Sequence, residues 1–262
     1  MRLLQKVTKG KLLPLFIALL TLTITACDNE SEDDGTMPMS EIEYDVAVAN
    51  TSLGNVITDA QGMTLYFFTR DVNGTSACNG GCATNWPPFT VDNLRASPAL
   101  DQTYFSTITR EDGSSQVTYK GWPLYYFMND NAAGDVNGEN AGGNWYVAKP
   151  DYDVFLASQT VNDQETRYLV DDLGQSLYTF ANDDANLSNC SGGCLDAWPI
   201  FGDQNLVIPS ILNQDDFGNI TTQGVSHATF LNQPLYYFNN DDNRGEINGH
   251  EANNVWFLQE IQ

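Results

Sequence analysis

Short runs of alternating aromatic or β-branched and polar residues, separated by clusters of Asn, Asp and Gly, run through most of this chain. Val46 to Val48, Leu65 to Phe68, Gln116 to Tyr119 and Trp145 to Val147 are typical. Side chains in a strand alternate faces with period two, and Asn, Asp and Gly start turns or take positive φ. No apolar stripe at helical spacing is sustained over three turns. The pattern predicts an all-β protein.

One phrase, Tyr-x-Phe-x-x-Asp, occurs four times: Tyr66, Phe68, Asp71; Tyr125, Phe127, Asp130; Tyr178, Phe180, Asp183; and Tyr236, Phe238, Asp241. The phrases come in pairs. Leu65, Cys78, Cys82 and Trp86 recur, all shifted by one constant offset, as Leu177, Cys190, Cys194 and Trp198. Leu124 and Trp145 recur, at an offset one position shorter, as Leu235 and Trp256. A unit of about 110 residues is therefore written twice, each time with two related halves. The expected architecture is two tandem homologous β-sheet domains, residues 44–150 and 151–262. A closed, propeller-like arrangement of four sheets about a pseudo-symmetry axis is the alternative. All four phrases are expected on equivalent core strands.

Within the phrase, Tyr and Phe share one strand face, which is read as the core face. The position between them is Phe67, Tyr126, Thr179 or Tyr237, and Thr179 predicts that this face is half exposed. The Asp three residues on ends the strand and caps the following turn. A ligand site built from the four acids is the alternative use.

Residues 1–26 read as an address. Arg2, Lys6, Lys9 and Lys11 precede an apolar stretch from Leu12 to Leu22, too short to span a bilayer comfortably, so a cleaved signal is expected. Ile24-Thr25-Ala26-Cys27 resembles a bacterial lipobox, which implies cleavage before Cys27 and a lipid on its thiol. Residues 28 to 43 hold seven carboxylates and no base, and with Cys27 they read as a flexible acidic tether. Asp28 resembles an inner-membrane retention signal, and the choice between inner and outer membrane stays open.

Charge narrows the partners. Without the signal, seven Lys and Arg face 34 Asp and Glu, a net charge of −27. Such a field opposes nucleic acid and anionic head groups, and it suits small cations, a basic protein partner or solubility alone.

The cysteines carry the sharpest chemical signal. Cys78-Asn-Gly-Gly-Cys82 and Cys190-Ser-Gly-Gly-Cys194 share the frame C-x-G-G-C, whose glycines let the loop fold back until the sulfurs meet. A disulfide within each loop is expected in an oxidising compartment, stabilising by roughly 2 kcal/mol. A redox-active pair and a metal site are alternatives, although the usual thiol-exchange arrangement of C-x-x-C at a helix start is absent. The only histidines, His227 and His250, have no counterpart in the first unit. Each loop runs into Trp86-Pro87-Pro88 or Trp198-Pro199-Ile200, expected as a packed lid, with an exposed binding platform as the alternative. The acidic glycine loops contain Asp130, Asp135 and Glu139 in one copy and Asp241 and Glu246 in the other, oxygen donors suited to calcium or another hard cation. A solvated turn is the leading expectation for them, and the cation site is the alternative. No nucleophile–histidine pair repeats and neither G-x-S-x-G nor H-E-x-x-H occurs, so no enzyme is expected.

With these residues assembled, the chain resembles the bacterial lipoprotein repeat family, the secreted repeat of unknown function. The resemblance rests on Tyr-x-aromatic-x-x-Asp, Gly62-x-Thr-Leu-Tyr66, the cysteine loop ending in Trp86-Pro-Pro, Pro123-Leu-Tyr125, and Ala133 to Gly138 followed by Trp145-Tyr-Val. It covers residues 44 to 262. The second unit departs from it at Ile200 and at Glu246. The resemblance implies a lipid-anchored envelope protein facing the periplasm, without an established activity. A non-enzymatic binding or structural module is the leading expectation. A redox accessory working through the C-x-G-G-C pairs, and more weakly a link to alkane use, are the alternatives.

Overall fold

The computed structural model describes residues 43–261; Cys27, the signal and residues 28–42 lie outside the described residues. The fold is all-β with two tandem repeats. The first contains β1 (Val46–Thr51), β2 (Gly54–Asp59), β3 (Tyr66–Phe68), the helix α1 (Gly81–Asn85), β4 (Phe105–Thr109), β5 (Ser115–Tyr119), β6 (Trp122–Pro123) and β7 (Trp145–Val147). The second runs in the same order: β8 (Val154–Val161), β9 (Gln164–Asp171), β10 (Tyr178–Phe180), α2 (Gly193–Ala197), β11 (Phe217–Thr222), β12 (Val225–Phe230), β13 (Gln233–Pro234) and β14 (Trp256–Leu258).

Every ladder is antiparallel and small. β1 pairs with β2, β3 with β7, and β4-β5-β6 form a three-stranded sheet; β8-β9, β10-β14 and β11-β12-β13 repeat the arrangement. Six sheets of two or three strands thus replace the closed set of four held as the alternative, and no closed barrel is found among the described residues.

Only two of the four phrases lie on named strands. Tyr66 and Tyr178 open β3 and β10, whereas Tyr125 and Tyr236 sit in extended segments joined by single bridges to Tyr66 and Pro88, and to Tyr178 and Ile200. Proline has no N–H to donate, so a neighbouring Trp-Pro-Pro segment cannot carry a full ladder. Scattered main-chain bonds replace it: Tyr126 N–H donates to the Pro87 carbonyl, Phe89 N–H to that of Leu124 and Met128 N–H to that of Asn85.

The helices were not legible as periodicity because each spans five residues. They follow from the cysteine loops: disulfides join Cys78 to Cys82 and Cys190 to Cys194, and Trp86 N–H then closes a turn on the Cys82 carbonyl. The second cysteine of each pair therefore lies in the first turn of a short helix. A helix start is thus present at each loop, while the spacing remains C-x-x-x-C and not the C-x-x-C of thiol exchange. No helix among the described residues is long and apolar enough to cross a membrane.

The larger of two core clusters draws on both repeats, while Tyr66, Phe68, Trp86, Tyr125 and Trp145 belong to a second one within the first repeat; the described residues 43–261 form one compact unit. β8 supplies the seam. Phe155 meets the ring of Phe67 at 5.6 Å and that of Trp122 at 4.9 Å, both from the first repeat. Phe67 is consequently buried, contrary to the half-exposed face read from Thr179; Tyr126, Thr179 and Tyr237 are half-buried as expected. The same strand face is fully covered at Phe67 because its ring lies against Phe155 of the neighbouring repeat.

Five of the seven bases outside the signal make their contacts between the repeats. Lys120 pairs with Asp172, Arg70 with Glu165, and Arg167 donates to the Gly143 carbonyl. Lys149 lies over the Tyr152 ring, 5.5 Å from its centroid. Arg244 of the second repeat reaches into the first, donating to the carbonyls of Val72 (2.5 Å) and Lys120 (2.8 Å) while covering the Trp122 ring at 4.6 Å. It passes against Gly121 and Gly174, both at positive φ; a Cβ at Gly121 would collide with the guanidinium, and one at Gly174 would press on it.

Candidate functional site

The four phrases assemble into two equivalent clusters through crossed hydrogen bonds. Tyr66 donates its hydroxyl to Asp130 (2.6 Å) and Tyr125 donates to Asp71 (2.5 Å), so each tyrosine reaches the aspartate of the other phrase. Tyr178 to Asp241 and Tyr236 to Asp183, both 2.6 Å, repeat the exchange. The second carboxylate oxygen caps its own turn, as expected: Asp71 accepts from Ala77 N–H, Asp130 from Asn137, Asp183 from Asn189 and Asp241 from Asn248. One carboxylate thus ends a strand locally and ties it to its partner phrase at long range. All four tyrosines are fully buried.

The phenylalanines have a separate task. In the first repeat the rings stack in the order Phe68, Trp145, Trp86, Phe127, with centroid spacings of 4.1, 3.9 and 4.3 Å. The two indoles are within 1° of parallel. In the second repeat Phe180, Trp256, Trp198 and Phe238 do the same at 4.3, 3.8 and 4.3 Å. Tyr66 and Tyr125 meet Trp86 and Trp145 edge-on, the geometry that places the positive ring edge on the negative ring face. Trp86 and Trp198 are each only 6 % exposed, so the packed lid is what the structure holds. Gly138 completes the first cluster. Its N–H reaches the Tyr66 hydroxyl, and a Cβ there would come within 2.9 Å of the rings of Trp86 and Tyr66.

Three side chains outside the phrase complete the polar half. Ser76 accepts from Arg110 and, since the one Tyr125 proton goes to Asp71, donates its own to the Tyr125 oxygen; Arg110 also donates to Gln116 and to the Cys78 carbonyl. In the second repeat Ser188 takes the Ser76 position. His227 stands where Gln116 stands, at the offset that relates Leu124 to Leu235. Gln116 donates to the Leu124 carbonyl, and the His227 Nε2 lies 2.8 Å from the carbonyl of Leu235. His227 therefore has a counterpart after all. Both ring nitrogens are engaged, by the Thr222 hydroxyl and the Leu235 carbonyl, and burial pushes its imidazole pKa down. These partners were legible only as equal offsets between the repeats, because Ser, Arg and Gln carry no motif of their own.

The cation reading is not supported. Asp130 and Asp241 are engaged as described, Asp135 accepts from the N–H groups of Asn131 and Ala132, and Glu246 accepts from Asn243. Glu139 binds Val147 N–H and the Ser210 hydroxyl across the seam. The five carboxylates close their own loops and do not converge, and no group of three or more His, Cys, Asp or Glu able to hold a metal occurs among the described residues. All four cysteine sulfurs are in disulfides, which leaves no thiolate for the metal site weighed for them.

Burial makes the first cluster pH-sensitive. Desolvation drives the Asp71 carboxyl up to about 7, against the downward pull of Tyr125, Ala77 N–H, Arg110 and Arg244. Burial also raises Asp183 and Asp241. An acid whose folded pKa lies above its unfolded value keeps a proton in the native state that the unfolded chain has released. Stability from Asp71 is therefore greatest below its unfolded pKa, declines as pH climbs from about 4, and levels off above about 7. Denaturant midpoints are expected to be higher at pH 5 than at pH 8. Asp71→Asn should flatten the profile by up to about 1.4 kcal/mol per pH unit within that window. A profile unchanged by Asp71→Asn would show that the carboxyl stays ionised throughout.

These features define a class: a duplicated all-β module whose repeated motif builds aromatic stacks cross-tied by tyrosine–aspartate pairs. A family model described as a secreted repeat of unknown function matches residues 47–90 and again 106–149, once around each phrase of the first repeat. No curated protein and no solved structure matches the chain.

Proposed function

We propose that this is a lipid-anchored module of the bacterial envelope, facing the periplasm and acting by binding or scaffolding rather than by catalysis. One observation carries the reading: the residues that make the repeat recognisable are spent on each other. The four tyrosines, four phenylalanines, four aspartates and four tryptophans form closed contacts inside two clusters, so the motif specifies rigidity. The lipobox-like segment before Cys27 supplies the anchor, and its acidic tether keeps the folded part clear of the anionic surface.

The redox alternative keeps one supporting feature. Cys78 and Cys190 are buried while Cys82 and Cys194 are half-buried in the first turn of α1 and α2, within reach of an attacking thiolate. Two measurements test the reading together. Labelled palmitate should enter the wild-type chain and not Cys27→Ser, and both disulfides should have potentials below about −300 mV, the range of structural bridges. Potentials well above that value would favour the redox accessory, and an unlabelled wild type would remove the anchor.

A further inference from the structure

We propose that β4 and β11 are docking edges, each taking an extended, basic-ended peptide segment of a partner as an added strand; this rests on the binding-module reading. β4 and β11 are the outer strands of the two three-stranded sheets. Lys120 N–H bonds the Tyr104 carbonyl and Arg110 N–H bonds that of Ser114, so in this register Ser106 and Ile108 face β5. Strand alternation leaves the main-chain groups of Thr107 and Thr109 pointing outward. The Leu231 N–H to Asp216 carbonyl bond fixes the same alternation in β11, where Asn219 and Thr221 point outward. None of these outward groups has a main-chain partner among the described residues.

β1, β2 and β8 are covered at their free edges, and the remaining outer strands of the two three-stranded sheets, β6 and β13, are only two residues long and each contains a proline. Val46 and Asp45 bond the segment Arg95 to Ser97 alongside β1, Asp153 and Val154 bond Val207 beside β8, and Leu65 links β2 to β7. Open edges are normally protected by charge, proline or a bulge, because they invite pairing. Phe-Ser-Thr-Ile-Thr and Phe-Gly-Asn-Ile-Thr-Thr contain no charge and no proline, in a chain with 34 acids. The same exception is made twice. Each open edge also borders a cleft. The first, of about 550 Å³, has Val91, Leu94 and Phe105 for an apolar side chain; the second, of about 270 Å³, has Leu206 and Phe217.

Charge selects the occupant. Asp101 precedes β4 and Glu111 and Asp112 follow it, while Asp215 and Asp216 precede β11 and Asp203 lines its cleft. A second copy of this chain would bring −27 against −27, whereas a peptide with lysines at its ends and β-branched residues between them is attracted and then held by main-chain bonds.

The blocked heptapeptide Lys-Thr-Ile-Thr-Val-Thr-Lys, titrated into the full-length protein with amide exchange read by NMR, tests this. The expected result is protection of the Thr107 and Asn219 amides. Binding should weaken roughly tenfold when alternate peptide amides are N-methylated, and again in Thr107→Pro/Asn219→Pro. The methylated peptide keeps the charge and needs no protein variant, so it decides the matter even where the proline variant loses stability. Equal binding by the methylated peptide would reduce the interaction to charge and overturn the proposal, as would no binding up to about 1 mM. Self-association suppressed by the proline variant would assign the edge to a second copy, which also overturns it. Disulfide potentials bear on the module reading alone, and the methylation comparison bears on the edges alone.

Discussion

Trp145→Ala is expected to destabilise the protein by about 3–5 kcal/mol, the cost of removing a large aromatic from a packed core. Trp145 sits inside a four-ring stack, with Phe68 at 4.1 Å on one face and Trp86 at 3.9 Å on the other, and the Tyr125 ring meets it edge-on at 5.0 Å. Its loss strands three partners. Tyr125 loses the wall that aims its hydroxyl at Asp71, and Trp86 loses the face that holds α1 and the Cys78–Cys82 loop against the core. Trp256→Ala in the second repeat is the internal control, with the same neighbours at nearly the same distances and the same expected cost. Urea unfolding of both variants measures it. The near-ultraviolet circular dichroism of each should lose the contribution of one stacked indole pair. A cost below about 1 kcal/mol in both would mean that the stack is incidental to stability.

Arg244→Ala is expected to cost about 2–4 kcal/mol and to loosen the seam. Two charge-assisted bonds to main-chain carbonyls disappear, leaving the carbonyls of Val72 and Lys120 to find water, and a cation–π contact with Trp122 goes with them. The gross loss is larger than the net. The guanidinium is costly to bury: desolvation lowers its pKa to about 10, and one of its terminal nitrogens has no partner. Arg244→Lys should not restore the loss, because one ammonium on a flexible stem cannot serve two carbonyls and cover an indole together. Arg244 also holds Asp71 down electrostatically, so its removal should raise the Asp71 pKa further and steepen the loss of stability between pH 5 and 8. Denaturant midpoints across pH for wild type, Arg244→Ala and Arg244→Lys check both effects. A shallower pH profile in Arg244→Ala would contradict the coupling.

Arg244 also shows where the two repeats diverge in role. Its equivalent in the first repeat, at the offset that pairs Trp145 with Trp256, is Ala133, which packs against Gly62. The first repeat uses a methyl group to close its own loop, and the second uses a guanidinium at the same place to hold its neighbour. Nothing in the local sequence around residue 244 distinguishes a solvated arginine from a seam residue.

The repeat, the strands around Val46, Tyr66, Val117 and Trp145, the disulfide loops and the buried tryptophan lids were all readable in one dimension. Each depends on short-range physics. Period-two alternation sorts strand faces, two glycines let a five-residue loop close on itself, and an aspartate beside a turn accepts nearby N–H groups. What could not be read is which side chain each conspicuous residue would meet. Tyr66 and Asp130 are separated by 64 residues, and a carboxylate expected to cap its own turn shows no sign of the second oxygen it offers to a distant phenol. The acidic glycine loops read as cation donors for the same reason, since an inventory of oxygens does not reveal that folding has already supplied them with hydrogen-bond donors.

By itself the sequence determined a duplicated, turn-rich β chain with its aromatic rings turned inward, because periodicity and loop closure act over a few residues. The tertiary structure alone decided that the tyrosines and aspartates exchange partners, that Phe67 is covered while Thr179 is not, and that Arg244 bridges the repeats. Those outcomes depend on how separate strands are brought side by side, and burial and hydrogen-bond satisfaction become definite only once they are.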